Sequence, residues 1–235
     1  MYNPIELSKK TESIVLDGNM KKYYRFRPTG FYGGIATADT VGCNLRCKFC
    51  WSSKSVWNAK NAGIFYSPEQ VADMLHEIAD KKGFRQIRIS GGEPTIGKDH
   101  LIQLLKNINH KYLFILETNG ILLGSDKEYI KNLSVFKNLH VRVCLKGSNS
   151  KEFSMFTGAE ENGFQFQLKA LEFLKDNDMS FNIALVSRDR EGKKHLFGKL
   201  RDMELGSIMI EDEEIKLYPL VKKRLQNEGI LHFFE

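Results

Sequence analysis

Apolar residues recur along this chain in two alternating rhythms, short strand-like runs and longer helical stripes. GGIATADTV (33–41) is the first β-rich run, and it ends directly at a cysteine-bearing loop. Ser67-Pro68-Glu69-Gln70 then reads as a capping box with Pro at the first helical position. Val71, Met74, Leu75 and Ile78 follow at helical spacing until Gly83 ends the run. FRQIRIS (84–90) is the second strand, and Leu101, Leu104, Leu105 and Ile108 mark the next helix. YLFILET (112–118) and LHVRVCLKG (139–147) are strands three and four, with a short polar helix between them. Phe164, Leu168, Leu171 and Leu174 give a further helix, FNIALVS (181–187) a fifth strand, and Leu196, Phe197, Leu200 and Met203 another helix. EIKLYP (214–219) supplies the sixth strand.

Strands that alternate with helices imply a parallel sheet with right-handed crossovers. Six units fall short of the eight of a closed barrel, so an open partial barrel and a doubly wound sheet both fit the pattern. In either, ligands bind at the carboxyl ends of the strands. Every unusual cluster falls on that rim: the cysteine loop after strand one, GGEP after strand two and ETNG at the end of strand three. Lys146 ends strand four and Arg188 follows strand five.

The 42% hydrophobic and 27% charged composition is that of a globular chain, and no apolar run reaches the roughly 20 residues of a membrane span. The N-terminus lacks a basic-then-apolar leader, and the four cysteines form no disulfide framework, which suits a reducing cytoplasm. The net charge of +6 raises the question of an anionic partner. Its densest patch is KKYYRFR (21–27), which suits either nucleic acid or, with better odds, a β-ribbon whose solvated cations flank buried aromatics.

Three of the four cysteines, Cys43, Cys47 and Cys50, stand in VGCNLRCKFCW. Three thiolates can hold three irons of a cubane, leaving the fourth iron open as catalytic metal sites are. Zinc fits less well, because the loop contains no histidine and no second cysteine hook follows.

CNLRCKFC resembles the CxxxCxΦC loop of the radical S-adenosylmethionine (radical SAM) superfamily, and ISGGEPTIG resembles its glycine-rich motif. The resemblance runs from about Gly34 to Pro219. It implies an α/β fold, a partial (β/α)6 TIM-type barrel with a parallel sheet, holding a 4Fe–4S cluster and SAM. It implies reductive cleavage of SAM to a 5′-deoxyadenosyl radical that abstracts hydrogen, with an electron donor such as flavodoxin or ferredoxin. The cluster ligands would be Cys43, Cys47 and Cys50. SAM contacts would come from Phe49, Trp51, Gly91, Gly92, Glu93, Pro94, Glu117, Thr118, Asn119, Lys146, Arg188 and Tyr218. Gly91 and Gly92 permit close backbone approach, and Glu93 suits the methionine ammonium. Phe49 would lie against adenine or fill the core. Lys146 and Arg188 are rival partners for the methionine carboxylate.

Within the superfamily, ETNG and the short chain look most like the pyruvate formate-lyase activating enzyme group. Cys144 stands where that group has an aspartate, and Tyr218-Pro219-Leu220 lacks the histidine found nearby there. Cys144 is expected as a reduced thiol near the cofactor and not a ligand. A barrel core at 34–220 leaves an N-terminal extension, 1–33, and a short tail, 221–235, with no long insertion to roof a small molecule. A macromolecular substrate, protein ahead of RNA, is therefore the first expectation. A small-molecule or nucleobase/tRNA-modifying enzyme similar to 7-carboxy-7-deazaguanine synthase is the alternative, and a non-enzymatic electron carrier the third reading.

Overall fold

The computed structural model describes residues 1–235. Its strands are β1 (Leu16–Asp17), β2 (Met20–Thr29), β3 (Ile35–Thr40), β4 (Ile64–Tyr66), β5 (Gln86–Gly91), β6 (Leu113–Thr118), β7 (Leu139–Leu145), β8 (Ser180–Leu185) and β9 (Ile210–Asp212). All nine belong to one sheet of order β1-β2-β3-β5-β6-β7-β8-β9, with β4 paired to β2. The run from β3 to β9 is parallel, and β1, β2 and β4 extend it antiparallel at the other edge.

Strand order decides between the two architectures left open above. A doubly wound sheet reverses direction at a switch point; this one is wound one way throughout, which puts the crossover helices on one face. The result is an open, partial six-unit barrel whose other face is a lumen. No helix is long and apolar enough to cross a membrane.

Ten helices connect or flank the strands: α1 (Pro4–Val15), α2 (Ser53–Trp57), α3 (Pro68–Lys82), α4 (Lys98–Asn107), α5 (Ile121–Ser125), α6 (Lys127–Leu133), α7 (Ser150–Thr157), α8 (Gly163–Asp176), α9 (Arg190–Asp202) and α10 (Pro219–Asn227). The capping box at Ser67 forms in full, with Gln70 N–H on the Ser67 hydroxyl and the Gln70 side chain on the Ser67 N–H. The alternation of β7 is as its sequence implies: Val141, Val143 and Leu145 are buried against the helices, while Arg142, Cys144 and Lys146 turn to the lumen.

Two expectations are corrected here. The sixth parallel strand is the three-residue β9, not 214–219, which is irregular and leads into α10. A three-residue edge strand is too short to carry a readable period of two. The short polar helix expected between strands three and four is two helices, α5 and α6, which bury Ile121, Leu123, Tyr129, Ile130 and Leu133.

The chain ends also lie closer to the core than the 34–220 division suggests. The expected boundary at residue 220 falls inside α10, which buries Val221 and Leu225. Beyond it, Phe234 joins Phe49 and Phe156 in an aromatic cluster with centroids 5.1 to 5.8 Å apart. Such a cluster adds specific edge and face contacts to the area it buries. Phe234→Ala should therefore cost about 3 kcal/mol of unfolding free energy. Denaturant titration of the variant checks this, and an unchanged midpoint would show that the tail is not docked.

Candidate active site at the strand ends

The glycine-rich turn after β5 is built by close backbone packing. Gly92 N–H donates to Thr40 O at 2.9 Å and Glu93 N–H to Gly42 O at 2.7 Å. A Cβ on Gly92 would meet the Gly42 carbonyl oxygen at 1.9 Å, and one on Gly91, at φ +95°, would meet Thr40 N at 2.8 Å. The close approach that these glycines permit is thus to the neighbouring loop, which brings the turn against the residue preceding Cys43.

Glu93, 1% exposed, ties this turn to the end of β6. Its Oε1 accepts from Thr95 N–H at 3.1 Å, the Thr95 hydroxyl at 2.6 Å and the Thr118 hydroxyl at 2.6 Å. Its Oε2 accepts from Asn119 N–H at 2.8 Å. The expectation of a carboxylate free to meet a ligand ammonium is corrected: only Oε2, with a single donor, keeps capacity. Asn119 in turn donates to Asn44 Oδ1 at 2.7 Å, beside the Cys43 thiol.

Beneath the turn sits a residue that the pattern analysis placed in solvent. Lys21 is 1% exposed, and its ammonium donates to the carbonyls of Glu93 (3.3 Å), Pro94 (2.7 Å) and Ile96 (2.5 Å). Lys22 is buried too and donates to Ala59 O and Lys60 O. Only Arg25 and Arg27 keep partly exposed side chains, and both pair with Asp39. β2 keeps a regular register with β4 over Lys21, Lys22 and Tyr23, and the three consecutive residues are buried because the chain covers both faces of the strand there: Lys21 meets the turn after β5 and Lys22 the 59–60 segment. No strict period of two could have shown this.

The cysteine loop is held from both chain ends. Tyr2 hydroxyl accepts from Arg46 N–H at 2.7 Å and donates to Thr157 O, and the Thr11 hydroxyl donates to Cys43 O. From α10, Arg224 donates to Lys48 O at 3.0 Å and Cys50 O at 3.1 Å. The three thiols are unpaired, and Leu45 N–H donates to Cys43 Sγ at 3.3 Å. Burial pushes the Cys47 thiol up to about 12, with Lys146 pulling the other way, so a metal must displace these protons to bind.

No group of three His, Cys, Asp or Glu side chains converges where a single ion could sit. A cubane makes no such demand, since each thiolate takes its own iron. Asn44 Nδ2, fully buried beside Cys43, has no hydrogen-bond partner, an orphan donor that an acceptor bound at the loop would satisfy. Donor set and orphan both fit an iron–sulfur cluster.

The remaining expected residues separate into three groups. Lys146 lies near the loop, its ammonium 5.8 Å from the centroid of Phe49, whereas Arg188 is exposed and meets Glu152 through its backbone N–H. Of the two rivals, Lys146 is the one beside the cysteines. Phe49 packs in the core with Phe156 and Phe234, in line with the second of its two readings. Trp51 and Tyr218 are 45% and 53% exposed and pair edge to face with each other on the rim, outside the buried hub.

The lumen face is a ladder of paired charges. Register places Arg88 beside Thr37 and Ile115, Glu117 beside Arg142, and Arg142 beside Asn182. Arg88 meets Glu117 at 3.0 Å, and Ser90 donates to the same carboxylate at 2.6 Å. Arg142 meets Glu211 at 2.8 Å and Glu213 at 2.6 Å. Cys144 lies in this face with Arg142 Nη1 at 3.5 Å from its sulfur; burial raises it to about 11 against the pull of Lys146 and Arg142. Glu117, singled out in sequence through ETNG, is a lumen residue bound to two arginines.

Lys21 gives two expected outcomes. Lys21→Met should cost about 3 kcal/mol, because it leaves three loop carbonyls and a buried carboxylate without their cation. Burial also lowers its folded value to about 7 from 10.5. Between those values the unfolded chain binds the extra proton, so stability relative to Lys21→Met should rise as pH climbs from 7 towards 10. Denaturant midpoints of both proteins across that range check the sign; a parallel pair of curves would remove Lys21 as the titrating group.

Comparison with known proteins places this geometry. The chain is 33% identical over 123 residues to a probable GTP 3′,8-cyclase of Methanococcus vannielii, covering 52% of this chain and 39% of that protein. It is 30% identical over 104 residues to a 7-carboxy-7-deazaguanine synthase of Methanothermobacter thermautotrophicus, covering 44% and 40%. The chain thus spans about two fifths of the length of these relatives. The fold resembles Streptococcus suis SuiB bound to S-adenosylmethionine, with a TM-score of 0.54 at 20% identity over 85% of this chain and 43% of that one. The narrower likeness to the pyruvate formate-lyase activating enzyme group gives way to these relatives. The profile of the Radical SAM superfamily matches residues 38–191, which include the cysteine loop, both hub motifs and five of the six parallel strands. This chain belongs to the radical SAM superfamily, whose cofactors are a 4Fe–4S cluster and SAM.

Proposed function

We propose that this protein is a radical SAM enzyme that abstracts hydrogen from a small polar molecule held in the barrel lumen. The observation that carries this reading is the juxtaposition of three free thiols on one rim loop with a lumen face of paired charges. When bound, the cluster and SAM would supply the electron and the radical that the protein's own side chains cannot.

The residues present divide that work. Cys43, Cys47 and Cys50 would hold the cluster, leaving one iron open. Glu93 Oε2 and the turn at Gly91 and Gly92 border the place for the methionine moiety, with Lys146 the nearby cation for its carboxylate. Thr118 and Asn119 hold the Glu93 carboxylate in place. Arg88, Glu117, Arg142 and Glu211 present donors and acceptors deep in the lumen, where burial strengthens each hydrogen bond and excludes water. A ladder of matched charges suits a polar molecule that exchanges its own hydrogen bonds for theirs, more than the apolar anchor of a docked protein.

The macromolecular substrate expected from the missing roof is set aside in favour of the small-molecule alternative. The names borne by the similar relatives, a GTP cyclase and a deazaguanine synthase, support that choice. The chain ends brace the cysteine loop, with α1, α10 and Phe234 packed around it.

Anaerobic reconstitution should load about four irons, and Cys→Ala at 43, 47 or 50 should abolish reductive SAM cleavage. Cys144→Ser should keep its iron. A stoichiometric zinc site, or cleavage that survives all three alanine variants, would refute the assignment. SAM cleavage should be slow alone and rise on adding the small-molecule filtrate of a cell extract. Stimulation found only in the retained, protease-sensitive fraction would restore the macromolecular reading.

A further inference from the structure

The outer side of the cysteine loop carries a surface that the proposed reaction, taken alone, leaves unexplained. No acidic residue occurs from Val41 to Pro68 or from Ile215 to Asn227. The first segment holds Arg46, Lys48, Lys54 and Lys60; the second holds Lys216, Lys222, Lys223 and Arg224. The fold brings the two together: Arg224 donates to Cys50 O and lies 5.0 Å over the Trp57 ring, which also carries Arg46 at 5.8 Å. Trp51, the residue after Cys50, packs on Tyr218.

Only Lys48 and Lys222 find carboxylate partners, in Glu228 and Glu235. Arg46, Lys54, Lys60, Lys216, Lys223 and Arg224 have none. Among these cations stand Trp51, Trp57, Tyr218 and Leu220, each between 45% and 62% exposed. By contrast, Arg25, Arg27, Arg88 and Arg142 are each matched by an acid. The excess positive charge near the cysteines is therefore concentrated on this one face, around an apolar centre.

We infer that this face, made by residues 46–60 and 216–224, docks an acidic one-electron donor protein. The inference rests on the proposed reductive chemistry, which needs one electron delivered to the cluster for each SAM cleaved. That electron leaves the donor's reduced redox group and is gained by the cluster; no atom passes and no bond forms between the proteins. A donor must approach a cluster ligand closely, and this face grips the backbone of two of the proposed ligands, Cys50 through Arg224 and Cys43 through Arg46. Unpaired surface cations around exposed aromatics give rapid, salt-sensitive, short-lived association, as a recycling donor requires. A small contact of this kind matches transient electron-transfer encounters. RNA is the competing anionic partner, and here the observations favour the protein donor: the cations ring an apolar centre on the cluster loop, with no groove that tracks a backbone.

The test uses cluster-loaded protein and an acidic flavodoxin as the probe, with dissociation constants measured at low and at high salt. The double variant Lys54→Glu/Lys223→Glu should weaken flavodoxin binding by about tenfold at low salt, and the difference should vanish at high salt. SAM cleavage driven by dithionite should be unchanged in that variant, while cleavage driven by reduced flavodoxin falls. Lys81→Glu/Lys82→Glu makes the same change in net charge at the opposite end of the barrel and should leave binding as it was. Equal losses in both double variants would reduce the effect to net charge and overturn the inference. So would unchanged flavodoxin binding in the first variant, or RNA binding abolished there while flavodoxin-driven cleavage persists. Wild-type protein that fails to cleave SAM with dithionite refutes the proposed function instead, which keeps the two failures apart.

Discussion

The site depends on a buried ammonium and a buried carboxylate attached to the same turn. Lys21 grips the turn through three carbonyls, and Glu93, within that turn, grips the end of β6 through Thr118 and Asn119. Each ion would be costly to bury alone, and each has its hydrogen-bonding capacity nearly filled by groups of fixed position. The pair therefore specifies geometry more than it adds stability. It fixes where the strand β5 turn lies relative to ETNG and, through Asn119 and Asn44, relative to the first cysteine. A turn that is free to shift could not keep three loops in one arrangement around a cofactor.

The strands that do this were legible because they are long enough to show a β-rich run. LHVRVCLKG alternates over seven residues, and the structure buries its apolar members, while FRQIRIS and YLFILET show as strands by their runs of β-branched and apolar residues and bury three in succession. β9 was misplaced because three residues show no period. Lys21 was read as solvated because nothing in the strand's own residues shows that both of its faces are covered. The hub motifs were visible as residue types, but not their partners: nothing in GGEP says that its carboxylate is consumed by Thr95, Thr118 and Asn119. Hydrogen-bond partners 25 residues apart are set by register, which one strand read by itself does not contain.

The lumen makes the same point about charge. Arg88, Glu117, Arg142 and Glu211 come from four strands and look, in sequence, like unrelated surface residues. Sequential winding puts β5, β6 and β7 side by side, and β9 one strand further across β8, with these side chains on one face. A row of charges buried on one face survives only if each meets an opposite sign, as they do here from Arg88 to Glu117 to Arg142 and, reaching past β8, to Glu211. That order gives the lumen polarity without net charge, and it is why substrate class is better argued from the strands than from the basic composition of the chain.

The basic composition finds its expression on the other side of the cysteine loop. A loop that holds a redox group must face two ways, towards the molecule that reacts and towards the source of electrons. The inner side is defined by neutralised charge and buried amides, the outer by unpaired cations around Trp57 and Trp51. Arg224 belongs to both: its guanidinium braces the Cys50 carbonyl and lies on the exposed Trp57 ring. Removing α10 would thus loosen the cysteine loop and dismantle the outer surface together. The segment read in sequence as the end of the barrel core and a short tail is the one that couples the two faces.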